Sequence, residues 1–285
     1  MLKSEYMRYG RRAGLPGGKA SRLARLATAV AIAMSCSLVP AKMAHAFDPQ
    51  KVFKEDKPSF KEVFKFYFTR KKAGDDEEAL DVLRYAADRG SQTARFKLGR
   101  MYEAGEGVPQ DKREAFDLYK SIADNYGEAR PNTPEWAITG SAMVALGRYY
   151  QTGIPEAGIP QDEQEARVMF TTSAMYFRDP DAQFLLGKML LEDNPTFDEG
   201  RQAIRMLELA RRKGHVGALA LVGHALVQGE FVDRDTVRGL AMLTRASESA
   251  PPDLKPWIDS MHQRDFALAS DEERRLAILK VQKRQ

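Results

Sequence analysis

Glu78–Asp124 reads EALDVLRYAADRGSQTARFKLGRMYEAGEGVPQDKREAFDLYKSIAD. Its apolar residues recur at helical intervals. Ala79, Leu83, Ala86 and Ala87 follow the 3.6-residue period and form one face of a helix. Gly90 can end that helix, because glycine accepts the left-handed C-cap conformation. A second helix is expected from about Thr93, with Ala94, Leu98, Met101 and Tyr102 on one side. The small residues Ala94 and Gly99 would let a neighbouring helix approach closely. Gly105-Glu106-Gly107-Val108-Pro109 then breaks the pattern. Asp111 stands where the next helix needs an N-terminal cap.

The unit recurs downstream. Ala94/Leu98/Gly99 is repeated as Ala142/Leu146/Gly147, Ala182/Leu186/Gly187 and Ala218/Val222/Gly223, with glycine spacings of 48, 40 and 36 residues. Ala79/Leu83/Ala86 is repeated as Ala115/Tyr119/Ile122, Ala166/Phe170/Ala174, Ala203/Leu207/Ala210 and Gly239/Leu243/Ala246. The loop Gly107-Val108-Pro109-Gln110-Asp111 returns as Gly158-Ile159-Pro160-Gln161-Asp162. A single helical hairpin leaves an apolar face uncovered, and stacking hairpins covers it. The expected fold is therefore all-α, a right-handed alpha solenoid with a concave surface. The repeats span 75–250, with an insertion near 128–137 that should project from the stack. Residues 47–74 form an amino-terminal capping segment, and 251–285 supply carboxy-terminal capping helices and a tail. Phe60, Phe64, Tyr67 and Phe68 could line one face of the first capping helix, with lysines at its edge. Ser270 and Glu273 have the spacing of a capping box for the last helix.

Charge divides the chain at the same place as the repeats. The formal charge is +4 over 285 residues, but residues 1–46 contain eight basic side chains and only Glu5. That segment carries +7, which leaves −3 on the remaining 239 residues. Its basic stretch precedes an uncharged run, Leu26–Val39, and then Ala44-His45-Ala46. This order is that of a signal peptide cleaved after Ala46, giving a periplasmic protein beginning at Phe47. The run is too short for a membrane-spanning helix. No membrane insertion of the mature chain and no nucleic-acid partner are expected. Cys36 is the only cysteine, so the mature protein would have no disulfide, cysteine-type zinc site or thiol nucleophile.

The motifs of chemistry are missing from the sequence. His215, His224 and His262 fit no metal-binding spacing. The run Asp75-Asp76-Glu77-Glu78 precedes a helix and suits its positive end. No catalytic residue, cofactor or metal ligand is assigned.

Ala86-Ala87-x-x-Gly90, Ala94-x-x-x-Leu98-Gly99-x-x-Tyr102 and Gly107-Val108-Pro109-x-Asp111-x-x-x-Ala115 together resemble the Sel1-like repeat, a relative of the tetratricopeptide repeat. In that family the glycines and alanines serve packing and turns. Longer stretches are similar to the ExoR-type family of exopolysaccharide regulators from rhizobia and related alphaproteobacteria. They include Lys97-Leu98-Gly99-Arg100-Met101-Tyr102, Ala145-Leu146-Gly147-Arg148-Tyr149-Tyr150 and Lys213-Gly214-His215-Val216-Gly217-Ala218. The resemblance implies a periplasmic negative regulator that holds a membrane sensor histidine kinase in check. It also implies a regulatory protease that releases the kinase pathway. Leu191–Glu199 departs from the family pattern because it lacks the Gly-x-Gly loop. Tyr102, Trp136, Tyr149 and Tyr150 are the candidate partner contacts, with core packing as the competing assignment for each. The alternative function is a periplasmic enzyme or carbohydrate-binding protein acting on envelope polysaccharide, which a converging acidic and aromatic cleft would favour.

Overall fold

The computed structural model describes Asp48 and residues 60–283. The expected signal peptide, its cleavage site, Cys36 and the start of the capping segment lie outside the described residues. So do the last two residues of the tail.

Twelve α-helices follow in order among the described residues: α1 Phe60–Ala73, α2 Asp76–Asp88, α3 Gln92–Ala104, α4 Lys112–Ala123, α5 Pro134–Thr152, α6 Glu163–Thr172, α7 Pro180–Glu192, α8 Phe197–Arg212, α9 Val216–Gln228, α10 Thr236–Ser249, α11 Lys255–Leu268 and α12 Asp271–Gln282. Outside them, strand-like pairing among the described residues is confined to one antiparallel bridge between Ile154 and Ile159. The all-α repeat architecture is as the periodicity predicts. Ala79, Leu83, Ala115, Tyr119, Ala166, Phe170, Ala203, Leu207, Leu243 and Ala246 are all buried, as are the second-helix positions Ala94, Ala142, Ala182 and Ala218. Burying a side chain such as Leu207 or Phe170 contributes about 1.5–3 kcal/mol.

The structure corrects which helices pair most tightly. The sequence reading joins α2 to α3 as one hairpin. The tightest packing instead joins α3 to α4, α5 to α6, α7 to α8 and α9 to α10. The repeated glycines explain this. A Cβ on Gly99 would lie 2.7 Å from Tyr119 Cε1, and one on Gly187 would lie 2.8 Å from Leu207 Cγ. On Gly223 it would meet the Gly239 carbonyl oxygen at 2.9 Å. Each glycine is thus a socket for a residue about 20 positions later, across the loop.

The loops that close three of these hairpins share key features. Gly105, Gly153 and Gly229 all have positive φ, 73°, 67° and 74°. Only Gly105 and Gly229 are in the left-handed helical region, whereas Gly153 is extended in ψ and opens a longer loop with a 3-10 turn. The amides of Asp111, Asp162 and Asp235 donate to the carbonyls of Tyr102, Tyr150 and Leu226 at 2.8–2.9 Å. Their carboxylates then cap the next helix: Asp111 Oδ1 accepts from the amides of Arg113 and Glu114, each at 3.0 Å. The second left-handed position is Gly107, Gly158 and, in the last loop, Phe231 at φ 62°. The α7–α8 connection does pack differently. It turns through Asn194 at φ 48° and starts α8 with a Thr196/Glu199 capping box.

The ends close the stack. In α1, Val63 and Tyr67 are buried, while Phe68 stays exposed beside Lys65 and Lys72. Arg70 pairs with Glu78 at 3.2 Å and Lys71 with Asp76 at 2.8 Å, so the acidic run ties α2 to the cap. At the other end the Ser270/Glu273 capping box forms as expected. In α11, Met261 is buried, but Trp257 and Phe266 are only partly so. Ile258 and Asp265 occupy the innermost positions instead.

Candidate interaction surface

The segment between α4 and α5 is exposed over most of its length and is anchored against the stack at Ala129. Tyr126–Glu128 makes one 3-10 turn, and Ala129 is buried. Thr133 then caps α5, its hydroxyl oxygen accepting from the Trp136 amide at 3.3 Å, with Pro134 at the first helical position. The exposed tip 130–132 is therefore held at its base, and Trp136 is fixed in the first turn of a 19-residue helix.

Opposite it, α6 widens into a π-turn, Ser173–Phe177. The Ser173 hydroxyl donates to the Gly140 carbonyl at 2.9 Å, and the Gln183 side-chain amide donates to the Ala174 carbonyl at 3.3 Å. Arg178 ends the turn in the left-handed region at φ 58°. The Lys213 ammonium donates to the Arg178 carbonyl. Burial pushes the Lys213 pKa down. Asp179 caps α7 through the amides of Asp181 and Ala182, at 2.9 and 3.0 Å. Burial pushes the Asp179 carboxyl up, and those amide hydrogen bonds oppose the shift.

The π-turn sorts three consecutive side chains. Phe177 is buried, whereas Met175 and Tyr176 are 58% and 50% exposed. Trp136 packs 4.7 Å from Phe177 and 4.8 Å from Tyr176, and Tyr126 meets Tyr176 edge-on at 6.3 Å. Tyr126, Trp136 and Tyr176 thus form an aromatic ledge over the buried Phe177, with Met175 exposed next to Tyr176 in the chain. Rigid aromatic and methionine side chains at a half-exposed position are the composition of protein interfaces.

Of the four predicted contacts, only Trp136 lies on this ledge. Tyr102 and Tyr150 are half-buried repeat positions. The Tyr102 hydroxyl accepts from Arg84 at 3.4 Å, and Tyr150 packs edge-on against Phe116 at 5.5 Å. Tyr149 is corrected to a core position. It is 8% exposed, and its buried hydroxyl has no hydrogen-bond partner among the described residues. Burial and then the Glu103 carboxylate raise the pKa of both Tyr149 and Tyr119, and Tyr119 donates to Glu103 at 3.0 Å. Tyr126, Met175 and Tyr176 escaped the sequence reading. The signal for Met175 and Tyr176 was the spacing from Phe170 to Ala174, four residues where Leu83–Ala86, Tyr119–Ile122 and Leu207–Ala210 have three; Tyr126, in a separate loop, had none. The additional residue is accommodated as the π-turn.

The histidines serve helix junctions. His215 Nδ1 accepts from the Ala218 amide at 3.1 Å, so the ring caps α9 while stacking 4.3 Å from Phe184. Burial pushes its pKa down, against the attraction of Asp181. His224 Nδ1 meets the buried Asp265 carboxylate at 2.7 Å, and the Gln228 amide donates to the same group at 2.9 Å. These contacts clamp α9 to α11. Among the described residues, no group of three His, Cys, Asp or Glu could hold a metal ion. A cavity of about 220 Å³ opens beside Gln228, Arg234, Thr236 and Leu268, below the roughly 300–1,000 Å³ of small-molecule sites. No helix among the described residues is long and apolar enough to cross a membrane.

A family model for the Sel1 repeat matches residues 92–126, 140–175, 180–215 and 216–250. Its frame groups α3 with α4, α5 with α6, α7 with α8 and α9 with α10, the same pairs that pack most tightly. The chain is 35% identical over 262 residues to "Exopolysaccharide production negative regulator" of Rhizobium meliloti (strain 1021), covering 91% of this chain and 95% of that protein. It is 35% identical over 217 residues to the protein of the same name from Rhizobium leguminosarum bv. viciae, covering 76% and 79%. Among solved structures, a Sel1 repeat protein from Oxalobacter formigenes superposes with a TM-score of 0.56 at 21% identity, over 79% of this chain and 88% of that one. That likeness concerns the fold.

Proposed function

The chain belongs to the Sel1 repeat family, and from that premise we propose that it is a negative regulator of exopolysaccharide production that works by binding another protein. The observation that carries this reading is the near full-length similarity to the Rhizobium meliloti regulator. An alignment covering 91% of this chain and 95% of that protein takes in the ends as well as the repeats, so the similarity exceeds a shared repeat unit.

The partner in this reading is the extracytoplasmic domain of a membrane sensor histidine kinase, met in the periplasm after removal of residues 1–46. The regulator would bind the inactive kinase conformation more tightly than the active one and shift the population towards it. Proteolysis of the regulator would remove that bias and release the pathway. The Tyr126/Trp136/Tyr176 ledge supports this assignment, because its aromatic groups pack on one another before binding and lose little freedom on contact.

Two measurements test the proposal. Envelope membranes are incubated with the purified protein, and the captured proteins are identified. The kinase's extracytoplasmic domain is then titrated with wild-type protein and with Tyr176→Ala. Recovery of a sensor kinase and a loss of about tenfold or more in affinity for the variant are expected, the size typical of an interface hot spot. Absence of kinase binding at both neutral and acidic pH would sink the kinase assignment. Undiminished binding by Tyr176→Ala would move the contact off the ledge.

A further inference from the structure

The last helix of a solenoid normally presents a polar outer face. α12 does not. It packs inward through Ala277 and Val281, and leaves Leu276, Ile278 and Leu279 39%, 46% and 40% exposed. The two leucines belong to a regular pattern. Glu272, Leu276, Leu279 and Lys283 follow one another at intervals of four, three and four residues, so they form one stripe along the helix. All four are exposed.

The stripe reads the same way in either direction once charge is reversed. If a second α12 is laid antiparallel with its centre opposite the midpoint of Ala277 and Ile278, Leu276 falls opposite Leu279 of the partner copy. In the same register Glu272 falls opposite Lys283 at each end. Both contacts occur twice, as an isologous twofold interface requires. Antiparallel alignment also sets the acidic first turn, Asp271, Glu272 and Glu273, against the basic last turn of its mate. Glu272 already pairs with Arg275 at 2.7 Å. That contact engages it from the flank, and a carboxylate has lone pairs for a second donor. Lys283 has no carboxylate partner among the described residues.

We propose that the occupant of this face is a second copy of the same chain, docked antiparallel through α12 in the register Leu276–Leu279 and Glu272–Lys283. One helix-on-helix contact is smaller than the roughly 1,200 Å² of a stable standard interface. The dimer is accordingly weak and forms reversibly with concentration.

The test is sedimentation velocity on the full chain across about 1–300 µM, the range suited to so small an interface. A concentration-dependent monomer–dimer equilibrium is expected. Leu276→Glu should abolish it. Glu272→Lys and Lys283→Glu should each weaken it by about fivefold or more, since each places like charges opposite one another at both ends. The double variant Glu272→Lys/Lys283→Glu should restore dimerisation to within about twofold by re-forming both pairs in reverse. All three positions are exposed, and matching far-UV circular dichroism melts would show that the monomer fold is retained. If Leu276→Glu fails to fold, the charge cycle alone decides. A monomer throughout the range would overturn the proposal. So would a dimer indifferent to the charge substitutions, or failure of the double variant to recover.

Discussion

Replacing Gly147 by alanine should destabilise the protein by about 2 kcal/mol, the difference between two opposing effects. In a helix interior, alanine is favoured over glycine by about 1 kcal/mol. Here the added Cβ would fall 2.8 Å from Phe170 Cδ1 and 2.9 Å from Cζ, and closer still to Cε1. Phe170 is fully buried, so its ring cannot swing into solvent. Forcing a methyl group against a fixed ring lies at the upper end of overpacking costs, about 3 kcal/mol. For a protein of this size the net loss corresponds to a fall in Tm of roughly 4–8 °C. The assay is urea and thermal unfolding followed by circular dichroism. Gly127→Ala is the control, because nothing lies within 4 Å of its added Cβ. Phe170→Leu in the Gly147→Ala background should recover part of the loss, giving a non-additive double-mutant cycle. A Gly147→Ala protein at least as stable as wild type would refute the argument that this glycine is kept free of a side chain by the ring of α6.

Gly200→Ala should likewise destabilise by about 2 kcal/mol, because its Cβ would enter the ring of Phe231. Phe231→Gly should relieve that penalty, since glycine also suits the φ of 62°; additive unfolding energies would contradict the contact. Asp111→Ala should lower stability by about 1 kcal/mol through loss of the α4 cap, read as a shift in the urea midpoint. His215 gives a pH dependence of definite sign. Its folded pKa lies below the ordinary value near 6.5, so the unfolded chain binds the proton first. Stability should therefore rise with pH between the folded pKa and about 6.5, and decline as pH falls through that window. His215→Asn keeps a capping side chain without titrating in this range. Its unfolding energy should vary less steeply below about pH 6.5, although the lowered pKa of His262 leaves part of the slope in place. An unchanged slope would remove His215 from the account.

Much of the fold was legible because its physics is local and periodic. Ala79/Leu83/Ala86 and its four recurrences had to face inward, since no other arrangement covers a stripe with that spacing. Asp111 and Ser270 could be read as caps because a cap needs only a suitable side chain at the right offset from the helix. Trp136 was also identifiable as an unusual residue in an inserted segment. Tyr149 stood between partner contact and core packing in the sequence, because a tyrosine at a repeat position looks the same whether it packs inward or outward, and its burial favours the core. Tyr126 and Tyr176 meet only through one additional helical residue and a loop some fifty positions earlier. The sequence signal for Tyr176 was a change from three to four in a single interval, and Tyr126 had none.

The sequence by itself determined that the chain is a stack of helices, where most of them begin and end, and that residues 1–46 differ in kind from the rest. Periodicity, capping and charge are properties of neighbouring residues, so they survive without coordinates. The tertiary structure decided which helices pair most closely. Whether Gly99 receives Tyr119 or some other side chain depends on contacts between distant positions, and no local pattern expresses them. It also decided which apolar residues stay outside. Met175 and Phe177, two positions apart in one helical turn, necessarily point to opposite sides; the tertiary structure decided which of those sides the rest of the chain covers, burying Phe177 and leaving Met175 exposed.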